Sequence, residues 1–287
     1  MTLGSADRPQ SGHHTRSYRI RNNRVHVDPP RTVEVQATPE QVRSLEDEGY
    51  LVRERLVRGA LLDRLRDAAD EVEAEAQKTQ GTGGGGGFGG LFVRGLIDRH
   101  PAFLDALLKF EPTLSVARAV LGPQVQIHAS VLRVSYPEVG DQQVEWHFHQ
   151  RVVPDPKPAF FYRPAVLDNL IYLDDITPES GPLVVMPRSH HRDEDLPSGD
   201  FADKPGQVVV TVPAGSCVTS HSSLWHRALP TLPSGTKRRL IILGYSPVWM
   251  KPVDRPSAAG CGGGLTDALK HSKDEETREL LGLSGYY

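Results

Sequence analysis

Downstream of residue 124 the chain alternates between short apolar runs and breaks rich in Pro and Gly. The runs cover residues 125–136, 143–153, 165–175, 181–187, 206–213, 216–226 and 238–249. Each is dense in Val, Ile, Leu and aromatic residues, and few helical stretches lie between them. Seven strands at such spacing predict a sandwich or a barrel. Upstream the period changes. Thr38-Pro-Glu-Gln41 has the form of a capping box with proline at the first helical position, and it opens a helix that ends near Gly49. Tyr50–Val52 reads as a short strand. Leu61, Leu62, Leu65, Ala68, Val72 and Ala76 recur at helical spacing, and residues 101–120 read as a further helix carrying Phe103, Leu104, Leu107, Leu108 and Phe110. One more helix is expected near 274–281.

This pattern divides the chain. Residues 1–36 are polar, turn-rich and sprinkled with arginine, and are expected to be a flexible tail. Residues 37–287 are expected to form one domain, with a helical part over 37–124, a β core over 125–250 and a C-terminal tail over 251–287. Residues 81–90, GTGGGGGFGG, are too glycine-rich for a regular element. They read as a solvent loop or, functionally, as an active-site lid whose glycines absorb the motion.

Composition narrows the function classes. The 287 residues are 38% apolar, enough for a sizeable core. Lys and Arg total 33 against 36 Asp and Glu, so the net charge of −3 provides no general attraction to nucleic acid or to an anionic membrane. Two cysteines, Cys217 and Cys261, are too few for a disulfide framework or a cysteine zinc site. No run reaches the 18 or so apolar residues of a membrane span, and residues 1–10 lack the apolar core of a secretory signal. The expected compartment is the cytoplasm.

The chemistry concentrates in Glu145-Trp-His-Phe-His149. On a strand alternate side chains share a face, so His147 and His149 point together with Glu145 beside them, while Trp146 and Phe148 pack on the other side. Two imidazoles at this spacing reach one metal ion, and a facial site recruits a third ligand from a distant strand. His226, read as the end of the 216–226 strand, is the best third ligand. After the turn that follows it, Lys237-Arg238-Arg239 opens another strongly apolar strand. An arginine entering a buried strand needs a partner, and a bidentate carboxylate is the natural one.

These motifs, with Leu173-Asp-Asp-Ile-Thr-Pro-Glu-Ser-Gly-Pro-Leu-Val-Val-Met-Pro-Arg-Ser-His190 and the helical start Glu46-Asp-Glu-Gly-Tyr-Leu-Val52, resemble the phytanoyl-CoA dioxygenase (PhyH-like) family of Fe(II)/2-oxoglutarate-dependent oxygenases. The resemblance runs from about residue 38 to 250. It implies a mainly β fold with flanking α-helices, a double-stranded β-helix (jelly-roll, cupin-like) barrel with iron at its open mouth. Carried over by position, His147 and His226 match the family's iron-binding histidines. Arg238 matches the arginine that clamps the distal carboxylate of 2-oxoglutarate, with Arg239 as the weaker candidate.

One position departs from the family. Its iron-binding strand reads His-x-Asp, and the Asp position here is His149. Either His149 completes a three-histidine site, or it turns away and water or another group such as Glu145 takes its place, or the site is degenerate. The first reading makes the protein an oxygenase using Fe(II), 2-oxoglutarate and O2 on a small-molecule substrate, with release of succinate and CO2. Three imidazole ligands are expected to lose iron as pH falls toward about 6. The rival reading is a non-catalytic or 2-oxoglutarate-independent metal-binding barrel. Neither nucleic acid nor membrane is an expected partner, and the oligomeric state carries no sequence signal. His190 and His191 read as residues holding the barrel edge, Asp174 and Asp175 as turn anchors, and Arg133 as a core or surface residue.

Overall fold

The computed structural model of the chain describes residues 15–19, 32–81, 89–139, 142–149, 163–192, 194–253 and 264–283. Of the glycine-rich loop 81–90, read as a solvent loop or a lid, residues 82–88 lie outside those described.

Eight strands build the β core: β5 (Val125–Ser135), β6 (Val144–His147), β7 (Leu167–Tyr172), β8 (Leu183–Val185), β9 (Val208–Val210), β10 (Cys217–His221), β11 (His226–Ala228) and β12 (Arg238–Pro247). They form two antiparallel sheets. The larger has the order β3-β10-β7-β12-β5-β4, with β3 (Tyr50–Arg53) and β4 (Leu91–Arg94) added at its edges, and the smaller has the order β6-β11-β8-β9. Following the chain, β5, β7, β10 and β12 enter the large sheet while β6, β8, β9 and β11 enter the small one. This double winding is the jelly-roll arrangement. The two sheets face each other as separately hydrogen-bonded layers.

Period-two alternation assigns each face. Leu170 and Tyr172 of β7, Val218 of β10 and Leu240 and Ile242 of β12 point inward. There they meet Leu183 and Val185 of β8 and Val210 of β9 in one apolar cluster between the sheets. The alternate residues, among them Leu132, Val134, Leu167, Ile171, Ile241, Leu243 and Tyr245, form the outer face of the large sheet. The helical layer covers that face: Leu65, Phe103, Leu107 and Leu114 belong to the same cluster. The outer face of the small sheet carries Trp146, Val184, Met186 and Trp225, so Trp146 does pack opposite the face of His147.

The helices start where the sequence says they should. Thr38 Oγ1 accepts from Gln41 N at 3.3 Å and Gln41 Oε1 accepts from Thr38 N at 3.0 Å, closing the capping box of α1 (Pro39–Asp47). α2 (Gly59–Gln80) buries Leu62, Leu65, Ala68, Val72 and Ala76.

Four expectations are corrected. The helix expected over 101–120 is two, α3 (Pro101–Leu107) and α4 (Glu111–Leu121). Pro112 has no N–H to donate and restricts the residue before it, so it starts a new helix instead of continuing the first. The run 216–226 is likewise two strands, β10 and β11, lying in different sheets. His226 therefore opens a strand instead of ending one. The tail expected over 1–36 is partly ordered: β1 (Arg16–Arg19) pairs with β2 (Thr32–Val35), and Val33 and Val35 are buried in the main core. At the other end the helix expected near 274–281 is present as α5 (Glu275–Leu280), with Leu280 and Leu281 in that core. No helix among the described residues is long and apolar enough to cross a membrane.

Candidate functional site

The three histidines converge on the inner face of the small sheet. His147 on β6 and His226 on β11 are direct cross-strand partners, their ring centroids 4.2 Å apart. His149 lies just past the end of β6, where its backbone N–H donates to Ser222 O at 2.8 Å. Its ring is 5.4 Å from that of His147 and 4.7 Å from that of His226. One ring nitrogen from each lies within 4.8 Å of the others.

Each imidazole is held at Nδ1. His147 Nδ1 is 2.8 Å from Glu145 O, and His226 Nδ1 is 2.8 Å from Leu224 O. A carbonyl only accepts, so Nδ1 carries the proton in both rings and Nε2 keeps its lone pair. His149 Nδ1 meets the carboxylate of Asp168 at 2.5 Å, so there too Nδ1 is the protonated nitrogen. Burial pushes His147 down to about 4, with His149 and Arg133 adding to the effect. Burial, then His147 and His149, hold His226 well below the ordinary imidazole value. Both rings are neutral at neutral pH, as ligation of a divalent metal requires. Three converging imidazoles suit Fe(II) among other transition metals.

Glu145, the alternative third ligand, accepts a hydrogen bond from the Gly199 backbone N–H and lies outside the cluster of converging donors.

The two arginines of the 237–239 motif part company on β12. Arg239 points outward. Asp174 meets it at 2.6 and 3.1 Å and Asp70 at 2.7 Å, and these carboxylates raise its pKa. Arg238 points inward and is only 2% exposed. Its Nη2 donates to Ser135 Oγ at 2.9 Å and its Nη1 donates to the Gly181 carbonyl, while Nε is buried without a hydrogen-bond partner. Gly181 has φ +71, and a Cβ there would lie 2.8 Å from Thr231 Oγ1, so only glycine brings its carbonyl so close. Among the described residues no carboxylate pairs with Arg238. A buried guanidinium left with neutral partners and a spare N–H is suited to a dicarboxylate such as 2-oxoglutarate.

Arg133 on β5 shares this inner face, since β5 and β12 pair Ser135 with Arg238 and Arg133 with Leu240. Burial and the charge of Arg238 lower its pKa to about 9, and its own charge acts on His147. It thus stands within electrostatic reach of both the histidines and Arg238. The apolar cluster of Tyr172, Leu240 and Ile242 lines the same interior.

Residues 45–239 match the family profile described as Phytanoyl-CoA dioxygenase (PhyH). The chain belongs to the phytanoyl-CoA dioxygenase family. PhyH members are non-heme iron and 2-oxoglutarate-dependent enzymes, and this chain is a PhyH enzyme of that kind. Solved structures share the fold. The non-heme alpha ketoglutarate dependent carbocyclase SnoK from nogalamycin biosynthesis is 22% identical, with a TM-score of 0.59 over 74% of this chain and 85% of its own. HygX from Streptomyces hygroscopicus, solved with nickel and 2-oxoglutarate bound, is 17% identical, with a TM-score of 0.60 over 75% of this chain and 89% of its own. The epimerase SnoN, solved with Fe3+, alpha ketoglutarate and nogalamycin RO, is 17% identical, with a TM-score of 0.57 over 73% and 83%. No curated protein matches the chain.

Several residues have structural roles. His190 and His191 each place Nε2 2.9 Å from Glu46 O, tying the segment after β8 to α1, as expected of edge-holding residues. Asp175 Oδ1 accepts from Ala214 N at 2.7 Å, a turn anchor. Asp174 instead serves Arg239. Sequence reasoning missed Asp168. Its signal was an acidic residue inside the apolar run of β7, a placement that strands disfavour.

Proposed function

We propose that the protein holds Fe(II) through His147, His149 and His226 and binds 2-oxoglutarate with its distal carboxylate on Arg238, to oxidise a small-molecule metabolite. The observation that carries this reading is the convergence of three Nδ1-tethered imidazoles, with ring nitrogens within 4.8 Å of one another, in a PhyH fold. Iron with 2-oxoglutarate and O2 supplies the oxidising chemistry, with succinate and CO2 as co-products and hydroxylation as the default outcome.

The chain supplies four things. The carbonyls of Glu145 and Leu224 fix the tautomers of His147 and His226. Arg238 offers the charge-assisted contact that orients the dicarboxylate. Arg133 adds positive potential between the two ends, which favours an anionic co-substrate beside a site with no anionic ligand. The inner apolar residues exclude water from the reacting region. SnoK and SnoN are a carbocyclase and an epimerase from nogalamycin biosynthesis. Their likeness supports a small organic molecule as substrate and leaves ring closure or epimerisation as outcomes beside hydroxylation.

The test is an anaerobic titration with Fe(II) and 2-oxoglutarate, followed by the visible metal-to-ligand charge-transfer band. The band is expected in the wild type and absent in His147→Ala and His226→Ala. A wild-type protein that binds Fe(II) without the band on adding 2-oxoglutarate would instead favour the 2-oxoglutarate-independent metal protein.

A further inference from the structure

The third histidine is held differently from the other two. His147 and His226 take their orientation from carbonyls two residues away on their own segments. The ring of His149 is aimed by Asp168, at 2.5 Å, from β7 in the opposite sheet. The His149 side chain is 39% exposed and the Asp168 side chain 7%, so the carboxylate is the fixed partner and the imidazole the one being placed.

The fold reserves room for this carboxylate. Asp168 faces Gly244 across the β7–β12 ladder, and a Cβ at Gly244 would lie 2.8 Å from Asp168 Oδ1. A buried carboxylate is costly unless it is hydrogen-bonded to a good donor. The His149 Nδ1–H is such a donor, and the same ring supplies a nitrogen within 4.8 Å of those of His147 and His226.

We propose that Asp168 is the positioning residue of the metal centre. It acts through His149, fixing its tautomer and strengthening it as a ligand, so that the carboxylate found in the ligand shell of the wider family stands here one shell further out. A carboxylate behind a metal-bound imidazole raises its basicity, and losing such a partner costs about 10- to 100-fold in metal affinity. The inference rests on the three-histidine reading.

The experiment measures Ni(II) and anaerobic Fe(II) affinity by calorimetry, in parallel with the charge-transfer position of the Fe(II)/2-oxoglutarate complex. Wild type, Asp168→Asn, Gly244→Ala, His149→Ala, His149→Asp and the double variant His149→Asp/Asp168→Asn are compared. Asp168→Asn is close to isosteric. It is expected to weaken both metals by about 10- to 100-fold and to shift the band. Gly244→Ala keeps the aspartate but crowds its oxygen, and is expected to act in the same direction. In the His149→Asp background there is no imidazole left for Asp168 to orient, so adding Asp168→Asn is expected to change metal affinity far less than it does in the wild type. A residue that only stabilised the strand would act alike in both backgrounds. If His149→Ala weakens binding but Asp168→Asn and Gly244→Ala do not, or if Asp168→Asn weakens it equally in both backgrounds, the positioning role is refuted and the three-histidine site stands. If His149→Ala leaves metal affinity untouched, the three-histidine reading itself has failed.

Discussion

Arg238 and Arg239 are consecutive, yet the pleat of β12 sends them to opposite faces of the sheet, and their surroundings differ in kind. The outer arginine is saturated: Asp174 and Asp70 meet its guanidinium, and its work is to pin β12 to the segment after β7 and to α2. The inner one is more deeply buried and, among the described residues, meets a hydroxyl and a carbonyl, with Nε unsatisfied. A fold that bury a cation without a counter-ion destabilises itself unless a ligand completes the pair. On the proposed function, the satisfied arginine serves the architecture and the unsatisfied one the co-substrate. The same division of faces holds on β11 in the other sheet, where His226 faces inward and Arg227 packs outward against Trp146 with Asp203 as its partner.

The largest effect should come from the inner histidines. His147→Ala and His226→Ala are each expected to abolish iron binding, measured as metal content after anaerobic reconstitution. Stoichiometric iron in either variant would sink the assignment. Arg238→Ala comes next. Loss of a charged contact worth about 1.5–3 kcal/mol corresponds to roughly tenfold to over a hundredfold weaker 2-oxoglutarate binding. Arg239→Ala should leave that affinity alone and lower the melting temperature by several degrees, since its ion pairs are within the architecture. The reverse result would show that the division between the two faces has been drawn the wrong way round.

Protonation gives a third test. The fold holds His147 at about 4, below the ordinary imidazole value of about 6.5. A folded pKa below the unfolded one means that the unfolded chain binds the proton more readily. The contribution to apoprotein stability is therefore fully present above about pH 6.5 and is lost as pH falls toward about 4. Metal-free protein should melt at a lower temperature at pH 5 than at pH 7, and His147→Gln should narrow that gap. For the same reason metal release should begin at a lower pH than the value near 6 expected of unperturbed imidazoles.

The residues that sequence alone made visible are those whose signal is local. The capping box at Thr38, the alternation around Trp146 and His147, and the arginine opening an apolar strand all state their geometry within a few residues. Long-range placement was harder to read. The run 216–226 contains neither Gly nor Pro, so nothing in it marks the turn at Ser222–Trp225 that moves the chain from one sheet to the other. The docking of Val33 and Val35 depends on a core assembled from residues far along the chain. Asp168 was hidden for a related reason: its partner is 19 positions away in the opposite sheet, and only their convergence gives the charge a purpose.

The smallest effect is expected at Ser135, whose hydroxyl accepts from Arg238 Nη2 at 2.9 Å. The serine is fully buried on β5 directly opposite the arginine, so it neither meets solvent nor has freedom to follow a displaced guanidinium. Ser135→Ala removes one partner from a group that has few. A hydrogen bond to a charged donor is worth about 1.5–3 kcal/mol, but the bound dicarboxylate would itself satisfy part of the guanidinium, so a loss nearer that of a neutral bond, about 0.5–1.5 kcal/mol, is expected in the complex. That is roughly a two- to tenfold weaker 2-oxoglutarate affinity with the metal affinity unchanged. The matching change on the outer face, Asp174→Asn, removes charge from the partner of Arg239 and should lower thermal stability with no effect on 2-oxoglutarate. If Ser135→Ala instead shifts only the melting temperature, then Arg238 is held by the fold for its own sake, and its spare N–H is not reserved for a ligand.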